Sequence, residues 1–251
     1  MNDYILETDN LGLRYGAFAA LGSVDLKIKR GSIHTVIGPN GAGKTTLFHC
    51  LTGERKPSSG HIQFAGQDVT HQAPHKRVAV GMSRSFQITS LFQNLSVREN
   101  LRLAAQGRDG LAALAFWYSD SHRREHLQKA DEVIERIKLD KMANTYAGEL
   151  SHGQQRVLEV GMALCSNPQM LLLDEPTSGM GVDDIPVMTQ LISELGQDHT
   201  VMLIEHNMRL VMSISDRITV MHQGNILIEG EPEMVSGDER VKKAYLGESG
   251  S

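Results

Sequence analysis

Ile33-His34-Thr35-Val36-Ile37-Gly38-Pro39-Asn40-Gly41-Ala42-Gly43-Lys44-Thr45-Thr46 is the stretch whose reading decides the fold. Its first five residues are a short, largely β-branched apolar run, which predicts a buried strand. Gly38–Thr45 fits G-x-x-x-x-G-K-[ST], a phosphate-binding loop. Thr46-Leu47-Phe48-His49-Cys50-Leu51-Thr52 then reads as a helix closed by Gly53. Strand, loop and helix are the context this motif needs. Glycines let the backbone wrap a polyphosphate, with successive amide N–H groups pointing at it. The helix that follows turns the positive end of its dipole to the same anion. Lys44 is placed to reach the β- and γ-phosphates, and the Thr45 hydroxyl to ligate Mg²⁺.

Outward from this loop the chain divides by pattern. Ile5–Thr8, Leu11–Tyr15 and Val24–Lys29 alternate as β structure, and Val24–Lys29 does so cleanly. Tyr15, at a strand end, suits an aromatic platform under a nucleobase, with Phe18 as the rival position. His61–Phe64 predicts a further strand and Pro74 opens a short helix. Met82-Ser83-Arg84-Ser85-Phe86 reads as extended, ahead of Gln87. From Val97 the pattern turns helical: Val97–Ala105, the apolar patch Leu111–Tyr118, and a charged amphipathic helix from His122 to Leu139. The apolar patch suits either core packing or a contact with another subunit. His122 and His126 have metal-ligand spacing, but no carboxylate or cysteine cluster accompanies them, so a solvated helix face is the reading. Leu150-Ser151-His152-Gly153-Gln154-Gln155-Arg156 opens a helix over Val157–Cys165.

The last third alternates strand and helix. Met170–Leu173 is a continuous apolar run, as in a parallel strand buried on both faces, and it ends in Asp174-Glu175. A helix over Ile185–Leu195 follows, then strand Val201–Ile204 ending in Glu205-His206. Strands Ile218–Met221 and Ile226–Ile228 precede a closing helix. Alternating βα units predict a mostly parallel sheet with helices on both faces. Ligands in such sheets bind at the carboxyl ends of strands. There Asp174 suits Mg²⁺ ligation, direct or through water, beside Thr45. Glu175 suits holding and deprotonating an attacking water. His206 suits positioning that water or bonding the γ-phosphate.

Composition narrows the function classes. The 251 residues are 40% hydrophobic and 22% charged, ordinary for a soluble globular chain. A formal net charge of -5 gives no electrostatic footprint for nucleic acid. Cys50 and Cys165, the two cysteines, lie in apolar helical stretches and read as buried free thiols in a reducing compartment. The start Met1-Asn2-Asp3-Tyr4 lacks a basic–apolar signal pattern, and no apolar run nears the roughly 20 residues of a membrane span. Any membrane role is expected through a partner.

The order Gly38–Thr46, Gln87, Leu150–Gln154, Leu171–Glu175, His206 resembles that of ATP-binding cassette (ABC) ATPases over nearly the whole chain. The resemblance implies an α/β P-loop NTPase with a RecA-like core, an antiparallel β subdomain and an inserted helical subdomain. It places the core and β subdomain at 1–87 and 167–247 and the helical subdomain at 88–166. By the same resemblance, Tyr15 stacks on adenine and Gly38–Thr46 bind ATP. Gln87 touches Mg²⁺ or the water, and Glu175 and His206 are catalytic beside Lys44. Ser151, His152, Gly153 and Gln154 match the signature, which caps the γ-phosphate held by a second subunit. The ATPases of this family close as head-to-tail pairs.

Two positions depart from the family pattern. His152 stands where glycine is usual, so its side chain is expected to point away from the nucleotide. Gly181 stands where the loop after the glutamate usually carries aspartate, which puts aspartate-mediated crosstalk between the sites in doubt.

Ser83–Gln87, Leu150–Arg156 with Leu158–Gly161, and Val241–Gly247 look like bacterial branched-chain amino acid importer ATPases, and the long insert looks like the larger of their two ATPase subunits. The partners implied are a second ATPase (itself or a sister chain), two integral membrane permeases, and a substrate-binding protein acting indirectly. The location implied is peripheral, on the cytoplasmic face of the inner membrane. Urea and short-amide importers share the Ser151–Gln154 pattern and are the alternative within transport. A soluble, non-transport ABC ATPase is the alternative from another class.

Overall fold

A computed structural model describes residues 3–84, 91–107 and 120–246. In chain order the strands are β1 (Tyr4–Tyr15), β2 (Phe18–Val24), β3 (Lys27–Lys29), β4 (Ile33–Ile37), β5 (Ser59–Phe64), β6 (Gln67–Asp68), β7 (Met82–Arg84), β8 (Met170–Asp174), β9 (Thr200–Ile204), β10 (Arg217–His222) and β11 (Asn225–Gly230). The helices are α1 (Lys44–Thr52), α2 (Pro74–Ala79), α3 (Val97–Gly107), α4 (Asp120–Arg136), α5 (His152–Leu164), α6 (Ile185–Leu195), α7 (Met208–Ile214), α8 (Pro232–Gly237) and α9 (Glu239–Leu246). The chain divides into two compact units, Met1–Arg77 with Ile192–Ser251, and Val78–Leu191.

In the first unit, every residue of β4 and of β9 is buried, and both read as mostly apolar runs with His34, Thr35 and Thr200 buried among them. They pair in parallel, Ile33 to Val201 through Val36 to Ile204, and β10 pairs in parallel on the other side of β4. Asp216 fixes the start of β4: its carboxylate accepts from the Ile33 amide at 2.8 Å, and its own amide donates to Ile33 O at 2.9 Å. β11 returns antiparallel to β10. Ile37, Val211, Ile218, Val220, Ile228, Val235 and Val241 close one core beneath these strands.

A second, antiparallel layer is built on the long β1, which pairs β2, β3 and β5. Here the single clean strand expected over Val24–Lys29 is interrupted. Asp25 turns aside to accept the Asn10 amide at 2.5 Å, and Thr8 Oγ1 takes the Leu26 amide at 2.8 Å. Asn10 holds a φ of 49° at that crossing, a conformation that asparagine tolerates better than most residues.

The second unit carries the parallel pair β7–β8 and the helices α3, α4 and α5. Strand β8 is buried throughout, as its unbroken Leu run requires. Helix α5 begins at His152, five residues before the expected start. A capping box closes its first turn: Gln154 N donates to Ser151 Oγ at 3.2 Å, and Ser151 N to Gln154 Oε1 at 3.0 Å. Gln87 and the patch Leu111–Tyr118 lie outside the described residues.

Candidate functional site

The phosphate-loop motif lies at the carboxyl edge of the first unit's parallel strands. Gly38, Gly41 and Gly43 have φ of 151°, 74° and 101°. Gly43 needs its missing side chain twice over. Its φ is left-handed, and a Cβ there would stand 3.0 Å from Ala20 O and 3.1 Å from Leu21 Cδ2. Gly38 is pressed against the Met221 carbonyl in the same way. The Gly224 amide donates to Ala42 O at 2.9 Å and Gly22 to Gly224 O at 2.9 Å, so β2 and the β10–β11 turn clamp the loop from one side. Lys44 is buried, and its ammonium donates to Gly38 O at 2.6 Å and Pro39 O at 3.0 Å. Asn40, Gly41 and Thr45 are exposed at the loop and the first turn of α1. Backbone amides, a helix N-terminus and a buried cation converging on one concavity suit a bound polyphosphate.

Two further groups stand in this unit. Tyr15 and Phe18 face each other across the β1–β2 hairpin, half and two-thirds exposed, and Phe18 lies on β2, whose Ala20–Leu21 segment packs on Gly43. Both candidate platforms are therefore open to solvent beside the loop. His206 follows β9 two residues beyond the Val36–Ile204 register pair, so it and Gly38 leave the sheet at the same edge. Its imidazole is exposed. What places it is Glu205, a residue the sequence reading passed over. Glu205 is buried, and one carboxylate oxygen accepts from the His206 amide at 3.0 Å and the Asn207 amide at 3.2 Å. Two strong acceptor bonds fix the turn from β9 into α7, where Asn207 is the N-cap.

The second unit holds the remaining candidates. Asp174 is the last residue of β8 and is buried. Glu175 follows with φ 48°, a left-handed backbone that a glutamate adopts at a cost of about 1 kcal/mol or more. Such strain persists where surrounding structure dictates it, and it turns the chain sharply out of the strand. Ser178 N closes that turn on Glu175 O at 3.0 Å. Ser151 caps α5 as described. Its hydroxyl accepts from Gln154 N and keeps its own proton to donate to an anion.

Arg77 also went unsignalled in the sequence. It is 1% exposed, and its guanidinium donates to Cys50 O at 2.8 Å, Leu51 O at 2.5 Å, Gln72 O at 3.1 Å and Thr70 O at 3.1 Å. It thus gathers the last carbonyls of α1, the helix that opens at the phosphate loop. Burial lowers its pKa to about 10, so it stays protonated at neutral pH.

Both cysteines are free and buried, and burial pushes the thiols up to about 11 at Cys50 and about 12 at Cys165. They are inert packing groups. On α4, His122 is exposed but His126 is buried, so the expected solvated face holds for only one of the pair. The reason is helical phase. The helix buries Ala130, Val133 and Ile134, and His126 falls on that side, four residues before Ala130. Among the described residues no group of three or more His, Cys, Asp or Glu side chains is placed to hold a metal ion, and no helix is long and apolar enough to cross a membrane.

Residues 21–178 match the ABC transporter family. The chain is 41% identical to the high-affinity branched-chain amino acid transport ATP-binding protein BraF of Pseudomonas aeruginosa, over 99% of this chain and 100% of that one. It is 40% identical to LivG of Escherichia coli, named likewise as a high-affinity branched-chain amino acid transport ATP-binding protein, over 99% and 100%. Among solved structures, an ATP-binding cassette of an ABC transporter in its ADP conformation superposes with a TM-score of 0.86. It is 32% identical and covers 97% of this chain and 99% of that one. A nucleotide-free cassette superposes at 0.84 with 30% identity, covering 96% and 98%.

Proposed function

Because this chain belongs to the ABC transporter family, we propose that it binds and hydrolyses ATP to power import of branched-chain or other apolar amino acids. One observation carries the cargo class: the 41% and 40% identity, end to end, to proteins named for branched-chain amino acid transport. The phosphate loop carries the chemistry. Backbone N–H groups of Asn40–Thr46 cradle the phosphates, and Lys44 leaves the Gly38 and Pro39 carbonyls to neutralise β- and γ-phosphate charge. Tyr15 stacks on the adenine, with Phe18 the other platform at the same hairpin.

Mg²⁺ would supply neutralisation of phosphate charge, and Thr45 and Asp174, with Gln87, are the residues that would hold it or its waters. The small set of oxygen donors fits this ion, which keeps several waters and takes phosphate oxygens as ligands. Glu175 accepts the proton of the attacking water, and His206 orients that water or the γ-phosphate. Ser151, Gly153 and Gln154 meet the γ-phosphate of a second ATPase subunit, with His152 beside them. The second subunit, two membrane permeases and an indirect binding protein complete the complex, which holds this chain at the cytoplasmic face of the membrane.

The test is ATP hydrolysis by the complex isolated from membranes through a tag on this chain, with its binding protein and one solute at a time. Stimulation by leucine-like amino acids supports the proposal. Stimulation by urea or short amides alone would move the assignment to that class, and recovery of no membrane subunit would sink the transport reading.

A further inference from the structure

The first turn of α5 and the loop that leads from Glu175 into α6 belong to the same unit, and they are packed at two points. A Cβ built on Gly179 would stand 2.9 Å from His152 Nε2, so the imidazole edge rests directly on the Gly179 backbone. Gly179 holds φ 76°, so the loop accepts this contact only because the position is glycine. One residue along α5, the Asp184 carboxylate packs so closely on Gly153 that a Cβ there would collide with Asp184 Oδ2. Asp184 directly precedes α6, and its amide closes the loop on Gly181 O at 3.0 Å. Its negative charge lies beside the first turn of α5, where the helix dipole favours an anion.

We propose that His152 and Asp184 form a seat that locks the loop 175–184 to the signature turn, making His152 a positioning residue for Glu175. The inference rests on the ATPase reading above. On that reading, Ser151–Gln154 meet the nucleotide of the partner subunit while Glu175 acts on the nucleotide of its own. A rigid seat between them carries one site's occupancy to the other through a single chain. Gly181 has no side chain to do this, and the histidine in place of the usual signature glycine supplies the contact instead.

The experiment measures steady-state ATP hydrolysis by the full chain, with ATP affinity and the melting midpoint alongside. The variants are His152→Gly, His152→Gln, Asp184→Ala and the double His152→Gly/Asp184→Ala. In the wild type we expect a Hill coefficient for ATP above one, with about two as the ceiling for two sites. His152→Gly lowers kcat by about two- to thirtyfold, the range for residues that carry coupling between sites. It also brings the Hill coefficient to about one, with the melting midpoint unchanged. His152→Gln, which can return a nitrogen to the Gly179 backbone, restores most of both.

The double variant is no slower than the slower single, because either loss opens the same seat. A Hill coefficient near one already in the wild type would overturn the inference. So would unchanged kcat in His152→Gly, a kcat loss that only tracks a lowered melting midpoint, or additive losses in the double variant. A wild-type chain that hydrolyses no ATP would instead sink the ATPase reading itself.

Discussion

Replacing Arg77 with methionine should cost this protein much of its margin, although Arg77 touches no part of the phosphate loop. The methionine fills a similar volume but donates nothing. Four carbonyls lose a charged donor: Cys50, Leu51, Thr70 and Gln72. Cys50 O keeps the Gly53 amide at 3.2 Å, so the loss concentrates on the other three. At about 1 kcal/mol net for each buried acceptor, that is about 3 kcal/mol. Removing a cation from the C-terminus of α1 adds about 0.5 kcal/mol. For a chain of this length each kcal/mol moves the midpoint by roughly 2–4 °C, so the drop should be roughly 10 °C. Thermal unfolding followed by circular dichroism, with wild type and variant at equal concentration, reads it directly. Because the same side chain anchors the far end of α1, ATP binding well below the midpoint should weaken as well. A midpoint within 3 °C of wild type, about 1 kcal/mol, would refute the claim that the buried guanidinium organises this corner.

Three other outcomes follow from the same contacts. His34 on β4 is buried, with its pKa lowered from 6.5 to about 4 first by burial and then by the Arg217 charge, and its Nε2 bonds Thr219 Oγ1 at 2.7 Å. The unfolded chain binds the proton more readily, so this stabilisation is complete above about pH 6.5 and is lost as pH falls toward about 4. Denaturant unfolding at pH 5 against pH 7.5 should show about 2 kcal/mol of loss from this group, removed in His34→Gln; an equal loss in both proteins would assign it elsewhere. Gly43→Ala should abolish nucleotide binding, because its Cβ meets Ala20 O and Leu21 Cδ2; equilibrium binding at wild-type affinity would contradict the loop geometry. Lys44→Ala should weaken ATP affinity itself, and unchanged affinity would remove Lys44 from the phosphates.

The parts legible in the sequence are those where local pattern and tertiary demand agree. Ile33–Ile37 was readable to the residue because a β-branched, mostly apolar run ends directly at the glycine that opens the phosphate loop. Ile185–Leu195 was readable because its apolar spacing is helical over three turns. Strand Val24–Lys29 was misread because alternation says nothing of Asp25 and Thr8, whose side chains capture backbone amides across the sheet. The early start of α5 was written as Ser151-x-x-Gln154, a capping box hidden inside a stretch that also reads as chemistry. Arg77 and Glu205 left no local trace. A charged residue is ordinarily taken for surface, and only the fold shows that carbonyls or amides converge on it. In the candidate site, the loop, Asp174, Glu175 and His206 were all signalled by strand ends. The seat at His152 was not, since it joins residues about thirty positions apart through two glycines.

The account stands most directly on Glu175, held at φ 48° where β8 gives way to its loop. Phosphate release should be followed for the full chain and for Glu175→Gln, with ATP binding measured on the same samples. The account predicts that the variant binds ATP as tightly as the wild type, hydrolyses almost none and accumulates as an ATP-bound dimer. Turnover at the wild-type rate would remove the general base from the mechanism and with it the assignment of this site.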